Sequence, residues 1–113
     1  MTDHRGALIL NEVLPEDVRQ KLDEEAQEEN ITLNDVANSI LSEHFDVPWT
    51  PSGRPYRPMA DQFKLRVPEP LHWKIRTSAA LAGHTVRGTV LATIANHYGL
   101  EAVVPTRRPR RAT

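Results

Sequence analysis

One pattern occurs twice in this chain of 113 residues, and it constrains the fold more than any other feature. A short strand-like segment ends at a proline, a helical pattern follows, and a capped second helical pattern comes after it. From that proline onward the two copies align without a gap at a constant offset of 53 residues, so that Pro15 corresponds to Pro68 and Thr32 to Thr85. A constant offset over a whole motif indicates an internal duplication.

The first copy predicts one strand and two helices. Residues 7–14 form a mainly apolar segment that is short enough for a strand, and Pro15 ends it. Apolar side chains then repeat every fourth residue on one helical face, and Asn30 suits the left-handed residue that follows a helix. Thr32 caps the next helix, and Asp35 stands three residues further on, a spacing close to that of a capping box.

The second copy shows the period of two that is typical of a half-buried strand. Residues 62–67 alternate polar and apolar side chains until Pro68. A helix follows, Gly83 suits its left-handed end, and Thr85 caps the fourth helix. The two copies together predict a mainly α-helical chain with one two-stranded antiparallel ribbon.

The two units of the repeat differ in the sign of their net charge. The first unit, residues 1–46, has a net charge of −9, and residues 62–113 have a net charge of +7. Within that basic part we expect the second unit at 62–104 and a tail at 105–113. An acidic N-terminal part and a basic C-terminal part indicate that the C-terminal part binds a polyanion. An uneven distribution of charge over solvated faces would give the same net charges.

A proline-rich linker at 47–61 joins the units, and its four prolines predict an extended, semi-rigid segment. We expect Trp49 and Tyr56 to pin it to the surface, with stacking on a base or a partner as the alternative. The basic tail is expected to be disordered. Its arginines either add salt-dependent phosphate contacts or only keep the end of the chain solvated; they are Arg107, Arg108, Arg110 and Arg111.

A unit with one strand and two short helices cannot bury its own strand edge. Two units can do so by pairing their strands antiparallel above four helices, which would make one chain a pseudo-dimer. Alternate side chains of the second strand then point into the core, and the others point outward on a ribbon narrow enough for the DNA major groove. The outward side chains are Gln62, Lys64 and Arg66. Lysine and arginine can donate to guanine O6 and N7, and glutamine can pair with adenine.

The stretch from Gln62 to Pro68, with a helix and then Gly83-His84-Thr85-Val86-Arg87, resembles the ribbon-helix-helix family that includes the Arc and methionine repressors. The resemblance rests on the alternation that ends in proline and on the capped turn between helices, and it leaves the linker and the tail unmatched. Members are usually homodimers that bind operators. The resemblance implies that the outward side chains of the second strand contact bases and that the start of the fourth helix contacts phosphate.

Free backbone N–H groups at helix starts can hold phosphates beside such a ribbon. We therefore expect phosphate contacts at the starts of the second and fourth helices. The residues concerned are Thr32, Leu33, Thr85, Val86 and Arg87.

The first copy departs from the family pattern. Its matching outward positions are Ile9, Asn11 and Val13, of which only Asn11 is a good base reader. Ile9 and Val13 could at most contact thymine methyl groups. Glu12 falls at a core position, which suits a carboxylate only if the strand is shifted or bulged. The acidic first helix is compatible with DNA binding only if it faces away from the DNA.

These observations predict a sequence-specific double-stranded DNA-binding protein, a transcriptional repressor in the cytoplasm. No catalytic constellation, cofactor motif or metal-ligand spacing is recognisable, cysteine is absent, and no run of residues is long and apolar enough to cross a membrane or resembles a secretory signal. The alternatives are an antitoxin or another protein-interaction module that uses the linker or the acidic first helix, and an accessory protein of plasmid partition or relaxosome assembly. Pseudo-dimers could also associate with each other on DNA.

Overall fold

A computed structural model describes residues 6–58 and 61–100. In these residues the order of elements is β1 (Ala7–Glu12), α1 (Glu16–Glu29), α2 (Leu33–Phe45), β2 (Phe63–Val67), α3 (Glu69–Ala82) and α4 (Val86–His97). The two strands form one antiparallel sheet, so the expected mainly helical chain with a two-stranded ribbon is confirmed. The four arginines of the basic tail lie outside the described residues. Within the described ranges, no helix has the length and apolar character needed to cross a membrane.

The helix ends follow the repeat because the same local chemistry occurs at both places. Asn30 and Gly83, each with a positive φ, end α1 and α3 in the left-handed conformation. Thr32 Oγ1 accepts a hydrogen bond from the Asp35 N–H at 3.0 Å, and Thr85 Oγ1 accepts one from the corresponding N–H of α4 at 2.9 Å. Such a cap satisfies one of the N–H groups that lack a partner within the helix, and each contributes about 1 kcal/mol.

The hydrophobic core is shared by all six elements. Leu10 and Leu65 come from the ribbon, and fully or nearly fully buried side chains of every helix pack beneath them. The largest of these helical side chains are Leu22, Leu41, Leu71, Ile75 and Ile94. Burial of a leucine or isoleucine contributes about 1.5–3 kcal/mol, so this common core is what holds the two halves of the chain together.

The first strand contains a bulge, but it lies at Ile9 and not at Glu12, where a shift or bulge was considered; Glu12 pairs with Phe63 in the register that the repeat predicts. Asn11 pairs with Lys64 and Leu10 with Leu65, whereas Leu8 pairs with Arg66, so Ile9 is an extra residue in β1. A bulge of this kind changes the face on which the preceding side chains of its strand lie. It therefore places Leu8, rather than Ile9, in the outward position opposite Arg66.

Candidate nucleic-acid interface

The side of the ribbon that faces away from the helices carries a short row of mainly polar side chains, which we call the ribbon face. Asn11 and Lys64 form its central cross-strand pair, and Leu8 and Arg66 form the next pair. Asn11 and Lys64 are exposed, Leu8 is 42% exposed, and Arg66 is half-buried. The ribbon face thus combines two cations, one amide and one apolar side chain within the width of two strands.

Three other predicted base-contacting residues occupy different surroundings. Gln62 is exposed directly before β2, and Val13 is 63% exposed directly after β1, so both adjoin the end of the ribbon. Ile9 is half-buried and packs against the hydrophobic core. The prediction of Ile9 as an outward residue is therefore not supported by its position, because the bulge turns its side chain toward the core.

Two asparagines of α2 hold the backbone of Arg66. The Arg66 N–H donates to Asn34 Oδ1 at 2.9 Å, and the Arg66 carbonyl accepts from Asn38 Nδ2 at 2.8 Å. Asn38 is 1% exposed, and its amide nitrogen also donates to the Asn34 carbonyl at 3.0 Å. Because backbone groups on both sides of the Arg66 side chain are fixed, that side chain leaves the ribbon from a defined position.

A carboxylate meets the start of α4. Glu12 lies opposite Phe63 at the end of the ribbon, and one of its carboxylate oxygens accepts a hydrogen bond from Arg87 Nε. This pair raises the pKa of Arg87, mainly through that hydrogen bond. Arg87 remains about half exposed, with 51% of its side chain accessible, while Glu12 is 25% accessible. A carboxylate at this core-facing position is thus accommodated by an ion pair at the edge.

The starts of α2 and α4 differ chemically although their caps are alike. In α2, Thr32 is half-buried, the Leu33 side chain is buried, and the Asp35 carboxylate lies in the first turn. In α4, Val86 is half-buried and Gly88 takes the place of Asp35, so no acidic side chain stands in the first turn. The predicted phosphate site is therefore free of negative side chains on α4 itself, whereas that of α2 contains one.

The linker is attached to the first half of the chain by hydrogen bonds. The Ser52 N–H and hydroxyl both donate to the Asp35 carboxylate, at 3.2 and 2.7 Å. The Tyr56 hydroxyl donates to Asp23 at 2.6 Å, and the Tyr56 N–H donates to Asn30 Oδ1 at 3.1 Å. The hydrogen bond to Asp23 is the main cause of the raised pKa of Tyr56. The expected pinning role of Tyr56 agrees with these bonds, and Asp35 bonds the linker rather than completing a capping box.

The attached linker leaves a broad groove of about 1170 Å³ between itself, the start of α2 and the ribbon, which we call the linker groove. Trp49 lines it on the linker side. Its cationic side chains are Arg54, Arg57, Lys64 and Arg66. Among the residues that the structure describes, none of these four forms an ion pair with a carboxylate. Arg54 and Arg57 could not be predicted as part of a site from the sequence, because nothing in a proline-rich segment indicates where it folds back.

A second, smaller cleft is lined by parts of α2, α3 and α4, and His44, His84 and His97 are among its residues. Within residues 6–58 and 61–100, no group of three or more histidine or carboxylate side chains is arranged to hold a metal ion. None of the residues that line this cleft belongs to the ribbon.

Comparisons with protein-family models, with curated proteins and with solved structures found no match to this chain.

Proposed function

We propose that this chain is a sequence-specific double-stranded DNA-binding protein, a transcriptional repressor, whose two copies act as the halves of a ribbon-helix-helix pseudo-dimer. The observation that carries the proposal is the ribbon register. A twofold axis through an antiparallel ribbon requires corresponding residues of the two halves to pair at its centre. Asn11 pairs with Lys64, and these two residues are separated by the repeat offset of 53. In the repeat, Leu10 corresponds to Phe63 and Glu12 to Leu65. In the ribbon, Leu10 pairs with Leu65 and Glu12 with Phe63, as a twofold axis through the central pair requires.

The chemistry of the ribbon face suits the floor of the major groove. Lys64 and Arg66 can donate to the O6 and N7 acceptors of guanine, and Asn11 can pair with adenine N6 and N7. Leu8 offers an apolar surface for a thymine methyl group, the role that the sequence analysis gave to Ile9. The two halves would therefore read different bases, and the preferred DNA site would be asymmetric.

The phosphate contacts in this proposal come from the flanks of the ribbon. The N-terminus of α4 presents Arg87 together with backbone N–H groups at the positive end of the helix dipole. The acidic residues of α1 are compatible with this arrangement if they lie away from the bound DNA; α1 turns Val18, Leu22 and Ala26 toward the core and packs mainly against α2 rather than against the ribbon.

Substitution of Arg66 by alanine tests the proposal. We expect Arg66→Ala to lower the affinity for a preferred duplex by the equivalent of about 1–3 kcal/mol, the value of one bidentate base contact, and to weaken discrimination at one position of the site. Affinity is measured by fluorescence anisotropy on DNA from upstream of the gene and on random duplex, at about 50 and 200 mM salt, because phosphate contacts are salt-dependent.

Arg76→Ala is the matched control, since Arg76 is an exposed arginine on α3 that is not part of the ribbon face. Equal discrimination by wild type and Arg66→Ala would remove Arg66 from the site. Absence of duplex binding by the wild type at both salt concentrations would refute the proposed function. That result would favour a protein-binding module, for which α3 offers an exposed Trp73 and an exposed Leu81.

A further inference from the structure

The linker groove has more positive charge than the first half of the chain would lead one to expect. Residues 1–46 have a net charge of −9, yet the groove beside them is lined by four cations and a single carboxylate, that of Asp35, which accepts two hydrogen bonds from Ser52. Two come from β2 and belong to the ribbon face. The other two, Arg54 and Arg57, come from the linker and are exposed. The fold thus brings linker cations next to the side chains proposed to read bases.

The linker arginines are carried by a segment with several anchors. Ser52 precedes Arg54 by two residues and is bonded to the buried carboxylate of Asp35, while Tyr56 lies between the two arginines and is bonded to Asp23 and Asn30. A segment fixed before binding loses less conformational freedom when it binds. The linker can therefore present both arginines without first being ordered by a ligand.

The start of α2 by itself is poorly suited to hold a phosphate. Asp35 places a carboxylate in the first turn, and its N–H already donates to Thr32 Oγ1. In α4 the corresponding residue is Gly88, and Arg87 precedes it. A phosphate beside the first half would therefore need positive charge from another segment, and the arginines that share the groove with Lys64 and Arg66 can provide it.

We propose that the linker groove binds the phosphodiester backbone of duplex DNA beside the ribbon, with Arg54 and Arg57 of the linker as phosphate-binding residues next to the acidic first unit. This inference rests on the proposed function, because the same DNA would occupy the ribbon face and the groove. Guanidinium groups form paired hydrogen bonds with phosphate oxygens, so each arginine can hold one phosphate. The linker then acts both as a connector and as a part of the interface.

The double variant Arg54→Gln with Arg57→Gln tests this inference in the full chain. The slope of log K against log salt is negative, and each lost phosphate contact reduces its magnitude by about 0.9. We therefore expect the magnitude to fall by about 1.8 in the double variant. Preference for the preferred duplex over random duplex should remain, since no base contact is removed. Phosphate-ethylation interference should lose its signal on one side of the DNA site only. Variant Arg54→Lys with Arg57→Lys should recover most of the slope.

The matched control is Lys74→Gln with Arg76→Gln, which removes two exposed positive charges from α3. An unchanged slope in the linker variant, with wild type binding DNA, would overturn the inference and leave the proposed function standing. An equal decrease in the control would also overturn it, because total charge alone would then explain the effect. Failure of the wild type to bind duplex DNA would refute both the inference and the proposed function.

Discussion

Asn38 offers the sharpest test of how the structure holds the ribbon. Its amide nitrogen donates to two carbonyls, those of Asn34 and Arg66, and its Oδ1 is buried without a partner in the described residues. Because both neighbours of the nitrogen are acceptors, the amide orientation is determined by the hydrogen-bond network. Substitution to alanine removes both bonds and leaves the Arg66 carbonyl without this donor.

The size of the effect follows from these bonds. Two hydrogen bonds contribute about 0.5–1.5 kcal/mol each, and removal of the unpartnered Oδ1 returns about 1 kcal/mol. Taking about 1 kcal/mol for each of the two bonds, we therefore expect Asn38→Ala to lower the free energy of unfolding by about 1 kcal/mol. The Asn34 carbonyl is a smaller part of this loss, because it lies within α2 and remains an acceptor of the helical N–H.

Urea unfolding followed by circular dichroism measures the change as a lower midpoint at an unchanged m value. Ser39→Ala, an exposed position on the same helix, is the control and should change stability by less than about 0.5 kcal/mol. Under the proposed function, the loss of DNA affinity caused by Arg66→Ala should be smaller in the Asn38→Ala background, because one of the two asparagine bonds that hold the Arg66 backbone is then absent. If Asn38→Ala is as stable as Ser39→Ala, the two asparagines do not hold the ribbon in the way described.

Two further predictions concern the ribbon and the contact between the halves. Gly6 has φ of +75°, and a Cβ there would lie 2.1 Å from the Val67 carbonyl oxygen. Gly6→Ala should therefore lower the free energy of unfolding by about 1–3 kcal/mol through the backbone conformation alone. The clash should lower the melting temperature further. Burial and the 2.6 Å hydrogen bond to Glu25 raise the pKa of Tyr98 above its ordinary value of 10.0. The folded state therefore favours the neutral phenol, and the stability that this contributes is full below pH 10 and is lost as the pH rises above it. Tyr98→Phe should lose about 1 kcal/mol at pH 7 and show a shallower decline than wild type above pH 10 in denaturant titrations.

Local chemistry explains why the helices could be predicted from the sequence. Proline, threonine caps and left-handed Asn30 or Gly83 act within a few residues, so the helix ends fell where the repeat placed them. The ribbon pairing also followed, because a lone strand with two short helices must pair with another strand to bury its apolar side chains.

Features that depend on contacts between distant parts of the chain could not be predicted from the sequence. The bulge at Ile9 depends on how β1 meets β2, and the position of Arg54 depends on bonds from Ser52 to Asp35 across 17 residues. The sequence does contain one indication that Asn38 has a specific hydrogen-bond partner. Asn38 stands in the apolar stripe of α2 where the second copy has Leu91, and a polar side chain at such a position usually has a specific partner.

The pair of Glu12 with Arg87 leads to a prediction in which a substitution strengthens binding. Arg87 stands at the start of α4, where a phosphate is proposed to bind, but its Nε donates to the Glu12 carboxylate. Glu12→Gln keeps the shape of the side chain and removes its charge. Since both side chains are partly exposed, the stability cost should be about 0–1 kcal/mol.

Under the proposed function, Glu12→Gln frees a cation and removes a repulsive carboxylate from the edge of the DNA-binding side. Affinity for duplex DNA should therefore rise, and the salt slope should steepen by about 0.9 if Arg87 gains one phosphate. Glu28→Gln makes the same change in net charge on the exposed surface of α1 and should leave the slope unchanged. Equal effects of the two substitutions would mean that Arg87 is not adjacent to bound phosphate, and they would move the phosphate contacts of this half away from the start of α4.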